Sequence, residues 1–487
     1  MHVHLRQEAM ATEKEGVQVT ADSIDSEARS GWAAVAEEAE TLRARVRELP
    51  VATASRPADL RAEVERRFPL EAPMPLPDLV HEAAALLREH AVHVIHPRYF
   101  GLFNPSVREA APLGDALAAL YNPQLAVWSH SAAAAELERH VLRRLGAALG
   151  REGDVATFTT GGAEANLTAV LAALARGAPG WEQGGVRALA ARPAVYVSAE
   201  AHHSFVKIVR IIGLGTDALR EVQVDGALRM DPVALERRIA EDRAAGWAPL
   251  LVVGTLGTTG AGVIDPLPAL ADVAARAGAW FHVDAAYGGA AALVARLSAV
   301  LDGIRAADSV TWDAHKGLSV PMGAGMIFCS DAEALRRAFA VTTTYMPSAA
   351  ADEPYAATIQ WSRRAIGLKV LFALAETGLA GAGALFERQV RMGDALRERL
   401  LARGFRLLNA TPLPVVCFTH RELDAGRVSS TDVVGQVVGR GRAWISEVVL
   451  NGRQRALRAC ITSFHTAEAD LDVLLEELER ALLHPSP

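Results

Sequence analysis

The chain has 487 residues, of which 51% are hydrophobic and 22% charged, an ordinary soluble globular composition with room for more than one domain. Its net charge of −7 gives no reason to expect nucleic acid or an anionic membrane as a partner. Cys329, Cys417 and Cys460 are scattered and form no CxxC pair, which argues against a cysteine-bound metal and suits a reducing, cytoplasmic setting.

Met1–Val17 is polar and has no apolar signal core. Every long apolar run is broken by Gly, Arg or Asp, so no transmembrane helix is expected. Apolar residues at helical spacing predict helices over Trp32–Leu49, Ser55–Phe68 and Leu79–His90, punctuated by Pro50 and by the proline-rich stretch 69–77. These helices are too few for a core of their own, and residues 1–95 are expected to pack on a partner subunit. The next stretch, HPRYFGLFNP at 96–105, is rich in aromatics. Phe100 and Phe103 either line a pocket or pack into the core. Helices are expected over Gly114–Tyr121 and Ala133–Ala148.

Strand–helix alternation then begins. Ala156–Thr160 reads as a strand, Gly161-Gly162 as a turn, and Ala163–Ala175 as a helix. The free N–H groups at such a helix start suit an anion, and paired glycines let the backbone approach it. A Gly-Gly turn by itself is weak evidence. Further strands are expected at Ala194–Ser198, Leu250–Thr255, Trp280–Asp284, Ser309–Trp312 and Gly323–Cys329. The polar groups His202, His203, Thr258, Thr259, Asp284 and His315 all fall in loops or strand ends after these strands, the edge where open α/β sheets bind ligands. The pattern predicts an α/β fold, a mostly parallel sheet covered by helices, over residues 96–370. Residues 342–353 are small and polar and read as a flap or a plain loop, with Tyr345 inside it and Tyr355 just beyond. Long helices at Arg363–Ala380 and Ala384–Arg403 lead into a smaller α/β unit over 371–487, with strands Val415–Thr419 and Leu457–Thr462 and a last helix Glu468–Leu483.

The chain holds only four lysines: Lys14, Lys207, Lys316 and Lys369. Lys316 alone would read as a surface lysine. Its surroundings, Asp308–Gly317 after a strand and HVDAAYGG at 282–289 upstream, reverse that. An amine can lose its proton and attack an aldehyde, which a guanidinium cannot do. A carboxylate at Asp284 can hold a pyridine nitrogen protonated, or can simply cap a helix. Together they point to pyridoxal 5′-phosphate (PLP) held on Lys316 as a Schiff base.

The motifs HPRYFGLFNPS at 96–106, TTGGAEAN at 159–166, SAEAHHS at 198–204, GTLGTTGAG at 254–262, HVDAAYGG at 282–289 and DSVTWDAHK at 308–316 occur in one order. In these the chain resembles the group II PLP-dependent amino-acid decarboxylases (aromatic-L-amino-acid, glutamate and histidine decarboxylases) from about residue 95 onward. The resemblance implies the fold type I of PLP-dependent transferases. It implies Lys316 as the Schiff-base lysine, Asp284 at the pyridine nitrogen with Ala286 beneath the ring, and His202 stacked on it. Gly162, Ala163 and His315 would hold the phosphate, and Thr259 would lie close to the cofactor. Arg458 matches a substrate-carboxylate arginine, and Tyr345 or Tyr355 a flap tyrosine. It also implies a homodimer with the site at the interface, an amino-acid substrate, no nucleic acid or membrane partner, and no metal. Asp313 stands where many relatives carry Asn, and repulsion from phosphate predicts that it turns away or contacts another group. Phe100, Leu102 and Phe103 lean the substrate toward an aromatic or apolar side chain, with Phe103 as a substrate contact. The alternatives are an acidic, glutamate- or aspartate-type substrate, a carbon–carbon lyase, and an aldehyde-forming decarboxylase.

Overall fold

The computed structural model describes residues 21–342 and 353–483. They form two compact units, residues up to 49 with 53–92, and residues 50–52 with 93 onward. The first unit holds helices Ala21–Arg45, Pro57–Arg67 and Leu76–His90. Pro57 and Pro77 sit in first turns, where a missing N–H breaks no helical bond. Arg67 pairs with Glu63 on its own helix and ties that helix to the third through Glu82 and Glu89. The first helix begins well before Trp32, because the polar run ahead of it contains no proline to stop it.

The second unit is built on two sheets. Strands β1 (Val155–Thr159), β2 (Arg192–Ser198), β3 (Leu219–Val222), β4 (Trp247–Thr255), β5 (Trp280–Asp284), β6 (Ser309–Asp313) and β7 (Gly325–Cys329) form the first. Their order is β1-β7-β6-β5-β4-β2-β3. All run parallel except β7, which is antiparallel to both neighbours. The link from β6 to β7 is too short for the crossover a parallel pair needs, so the chain must turn straight back. That short return carries Lys316. Strands β5, β6 and β7 are buried at every position, as expected of the middle of a sheet covered on both faces. The short edge strand β3 was not evident in the sequence, because LREV is half polar and only four residues long.

The second sheet contains β8 (Phe405–Leu407), β9 (Val415–His420), β10 (Ser446–Leu450) and β11 (Gln454–Cys460), in the antiparallel order β10-β11-β9-β8. It packs Val416, Phe418 and Leu457 against Leu471, Leu474 and Leu478 of helix Glu468–Leu483. Gly367–Ala402 joins the two cores as two helical segments bent at Gly378, whose φ of 71° favours glycine. Val370 and Phe386 lie in the large core, Leu396 and Leu400 in the small one. This helix has the length and composition of a membrane span, but its kink and its place in both cores mark it as internal scaffold.

Candidate active site

Parallel strands aim their carboxyl ends at one edge, and the reactive groups gather there. β5 ends on Asp284. β6 ends on Asp313, and the turn Ala314–Gly317 follows with His315 and Lys316. β1 leads through Gly161 into helix Gly162–Gly177, and β2 leads to His202.

Three lysines lie among the described residues, and their environments separate them. Lys207 is exposed. Lys369 is buried and fixed to Asp115 and the Met322 carbonyl. Lys316 is half-buried, with Nζ 3.1 Å from Asp313 Oδ2 and 5.6 Å from the Phe103 ring centre. It is therefore the amine available to an aldehyde at this edge.

Asp284 is 5% exposed. Its Oδ2 accepts from Asn166 Nδ2 at 2.9 Å and its Oδ1 from the Ala286 N–H at 3.1 Å. Both oxygens of Asp284 are thus held as hydrogen-bond acceptors. His202 Nδ1 accepts from the Ser204 N–H at 3.2 Å, which leaves the hydrogen on Nε2. Burial lowers the His202 pKa, Asp284 and Asp313 oppose this, and Lys316 adds to it. These four groups thus share one electrostatic environment. One side of His202 stays open, which leaves room for a flat partner.

The Gly161-Gly162 turn faces the same groups. A Cβ on Gly162 would lie 2.9 Å from Asp313 Oδ2 and 3.3 Å from Ala286 Cβ, and one on Gly161 would lie 3.3 Å from His315 Cε1. No side chain caps the helix that starts here. His315 Nδ1 accepts from the Ala324 N–H, so Nε2 carries its hydrogen and points a donor toward Asp313, 3.7 Å away. An uncapped helix start, a side-chain-free cradle, a donor histidine, an amine and a buried carboxylate fit PLP. PLP supplies an electron sink when bound.

Of the two expected outcomes for Asp313, the structure shows the contact elsewhere, with Lys316. Asp313 is buried and leaves Oδ1 without a partner. The reason is strand alternation, which sends residues 309, 311 and 313 of β6 to one face. Thr259 is exposed, whereas Thr258 is buried and caps its own turn by accepting from the Val263 N–H. Tyr345 lies outside the described residues. Tyr355 is buried, with its ring stacked 5.1 Å from Trp361.

Phe103 stacks on Tyr287 at 4.1 Å between centroids, with Lys316 on one side and the Arg458 guanidinium 5.0 Å away. Arg458 is buried. Its Nε donates to the Gly260 carbonyl and its Nη1 to that of Gly101, while Nη2 has no partner. Phe100 is fully buried in the small core, and Leu102 is exposed. Of the two readings of this stretch, core packing holds for Phe100, while Phe103 lies beside Lys316 and Arg458. A cavity of about 760 Å³ elsewhere, bordered by Glu138, Arg151, Phe328 and Arg363, is lined by none of Lys316, Asp284 or His202.

His282 on β5 is fully buried, which pushes its pKa down from 6.5 to about 4. Burial also lowers the pKa of His315. The unfolded chain takes up these protons first, so the buried neutral rings stabilise the fold above about pH 6.5 and lose this contribution as pH falls toward about 4. The His282 part amounts to roughly 3 kcal/mol. Urea unfolding of the PLP-free protein should therefore show stability falling steeply from about pH 7 to about pH 5. An unchanged midpoint would show that His282 is not held neutral by burial.

The pyridoxal-dependent decarboxylase conserved domain matches residues 57–421. Mouse cysteine sulfinic acid decarboxylase is 31% identical over 415 residues, 80% of this chain and 83% of that protein. An acidic amino acid decarboxylase of Bos taurus is 28% identical over 80% of this chain and 78% of its own length. The L-2,4-diaminobutyrate decarboxylase of Rhizobium meliloti is 32% identical over 78% of each. The crystal structure of mouse CSAD superposes with a TM-score of 0.87 at 28% identity, covering 95% of this chain and 99% of that one. Domain match, shared fold and the amine–carboxylate edge agree: this chain belongs to the pyridoxal-dependent decarboxylase family, as a PLP-dependent amino-acid decarboxylase.

Proposed function

We propose that the chain removes the α-carboxyl group of an acidic L-amino acid, one whose short side chain ends in a carboxylate or sulfinate, to give CO₂ and the amine. The acidic choice is supported first by the likeness to cysteine sulfinic acid and acidic amino acid decarboxylases, and Arg458 is compatible with it. Two of the Arg458 nitrogens are held by backbone carbonyls, and the third is buried without a partner beside Phe103. A guanidinium fixed in this way is preorganised for an anion. An aromatic substrate has less support, since Phe100 is spent in the core and Phe103 is already covered by Tyr287.

In this reading Lys316 would carry PLP, Gly162, Ala163 and His315 would hold its phosphate, His202 and Ala286 would flank the ring, and Thr259 would lie nearby. Asp284 would face the ring nitrogen. Arg458 grips the distal acid and so leaves the α-carboxylate free to shed its charge as CO₂. A guanidinium on the departing group would instead stabilise the ground state and slow the step. Lys316 Nζ, 3.1 Å from Asp313 Oδ2, would hold the proton that Cα needs; Tyr345 is the other candidate donor. The working form is a cytoplasmic homodimer.

The test is CO₂ release by the purified, PLP-loaded protein on aspartate, glutamate, cysteine sulfinate, 2,4-diaminobutyrate and tryptophan. One acidic substrate should exceed the other two classes by about 10²-fold or more in kcat/KM. Arg458→Gln should remove most of that preference. Faster turnover of diaminobutyrate or tryptophan would overturn the acidic reading.

A further inference from the structure

Behind Asp284 runs a line of buried polar groups that the chemistry above does not use. Trp280 Nε1 donates to Ser309 Oγ at 2.8 Å. Ser309 Oγ lies 2.8 Å from His282 Nδ1, and His282 Nε2 lies 3.0 Å from Asn166 Oδ1. Asn166 Nδ2 donates to Asp284 Oδ2 at 2.9 Å. Thr311 Oγ1 adds a 2.7 Å donation to Asn166 Oδ1. Ser309, Thr311 and His282 are fully buried, and Asn166 and Trp280 nearly so.

The direction of this line is forced from both ends. Indole N–H can only donate, and an ionised carboxylate can only accept. The carboxylate turns the Asn166 amide so that its oxygen faces His282 and Thr311, and both must then donate. His282 therefore carries its hydrogen on Nε2 and accepts at Nδ1 from the Ser309 hydroxyl, which itself accepts from Trp280. Aligned donors of this kind polarise one another. Strand geometry sets the line up. Residues 280, 282 and 284 share one face of β5, and β6 pairs beside it with His282 opposite Ser309 and Asp284 opposite Thr311. Helix Gly162–Gly177 lays Asn166 across that face.

We propose that Trp280, Ser309, His282 and Asn166 form a one-way hydrogen-bond relay that holds Asp284 aimed as an acceptor. They are positioning residues for the carboxylate at the cofactor nitrogen. The inference rests on Asp284 facing that nitrogen. No member of the line can hand Asp284 a proton without breaking a bond at both of its ends.

The experiment is a pH titration of the visible absorbance of the PLP-loaded protein, with PLP affinity measured alongside, in Asn166→Asp, Ser309→Ala and the control Asp284→Asn. Asn166→Asp keeps the volume but sets a second carboxylate against Asp284. It should move the titration by on the order of 1–3 pH units and weaken PLP binding by about tenfold or more. Ser309 lies beyond His282 and Asn166 from Asp284, so a smaller shift in Ser309→Ala reaches the cofactor through the line. Unmoved titrations in both variants, with the control shifted, overturn the relay. An unmoved control instead overturns the placement of Asp284. If Asn166→Asp fails to fold, Ser309→Ala and Ser309→Thr decide the matter: the shift in the first should be reversed in the second, and no shift in either rejects the proposal.

Discussion

Lys316→Ala should lower CO₂ release by roughly 10⁴-fold, the upper end of what one acid–base group supplies. No other described lysine can take its place. Lys207 is exposed, and Lys369 is locked against Asp115 and a carbonyl inside the core. Lys316→Arg should fail equally, since a guanidinium stays protonated and cannot attack an aldehyde. The direct check is borohydride reduction of the PLP-loaded protein followed by peptide mass spectrometry. The wild type should carry one pyridoxyl group, on the peptide containing Lys316, and the variants none. A group found on Lys207 or Lys369, or near-normal turnover by Lys316→Ala, would remove Lys316 from the chemistry.

Asp284→Ala should cost about 10²–10³-fold in kcat, the range for one preorganised electrostatic group. KM for the amino acid should change little, because this charge acts on the electron-rich transition state more than on the bound substrate. Asp284→Asn separates charge from shape. It fills the same space at the end of β5 but cannot stay negative, so it should lose most of what Asp284→Ala loses. If Asp284→Asn kept within about threefold of wild-type kcat, the carboxylate would be a structural cap on the strand end, not the partner of the cofactor. Both variants should be assayed at saturating PLP, so that weakened cofactor binding is not taken for slow chemistry.

Much of the fold was legible in the chain. Strands β5 and β6 announce themselves by apolar runs, and their observed bounds match or nearly match the expected ones. Short, half-polar strands such as β3, β8 and β10 do not, because three to five residues give period-2 alternation little room to show. The relay had a readable trace that went unused. Trp280, His282 and Asp284 alternate on β5, and Ser309, Thr311 and Asp313 alternate on β6, an unusual polar face for two strands in mid-sheet.

By itself the sequence determined which groups could react. One lysine beside a histidine, one aspartate at a strand end and one glycine turn before a helix are local facts, written in adjacent residues. Only the tertiary structure decided how separated groups are used. Asp313 meets Lys316 because alternation along β6 puts it on the same face as Ser309 and Thr311. Phe100 enters the small core instead of a pocket, and Arg458 is left with one unpartnered nitrogen. Asn166 meets His282, Thr311 and Asp284 because strand register and helix packing bring three distant segments together. Side-chain periodicity is a property of neighbours along the chain, whereas hydrogen-bond satisfaction in a dry core is a property of whatever packs across it.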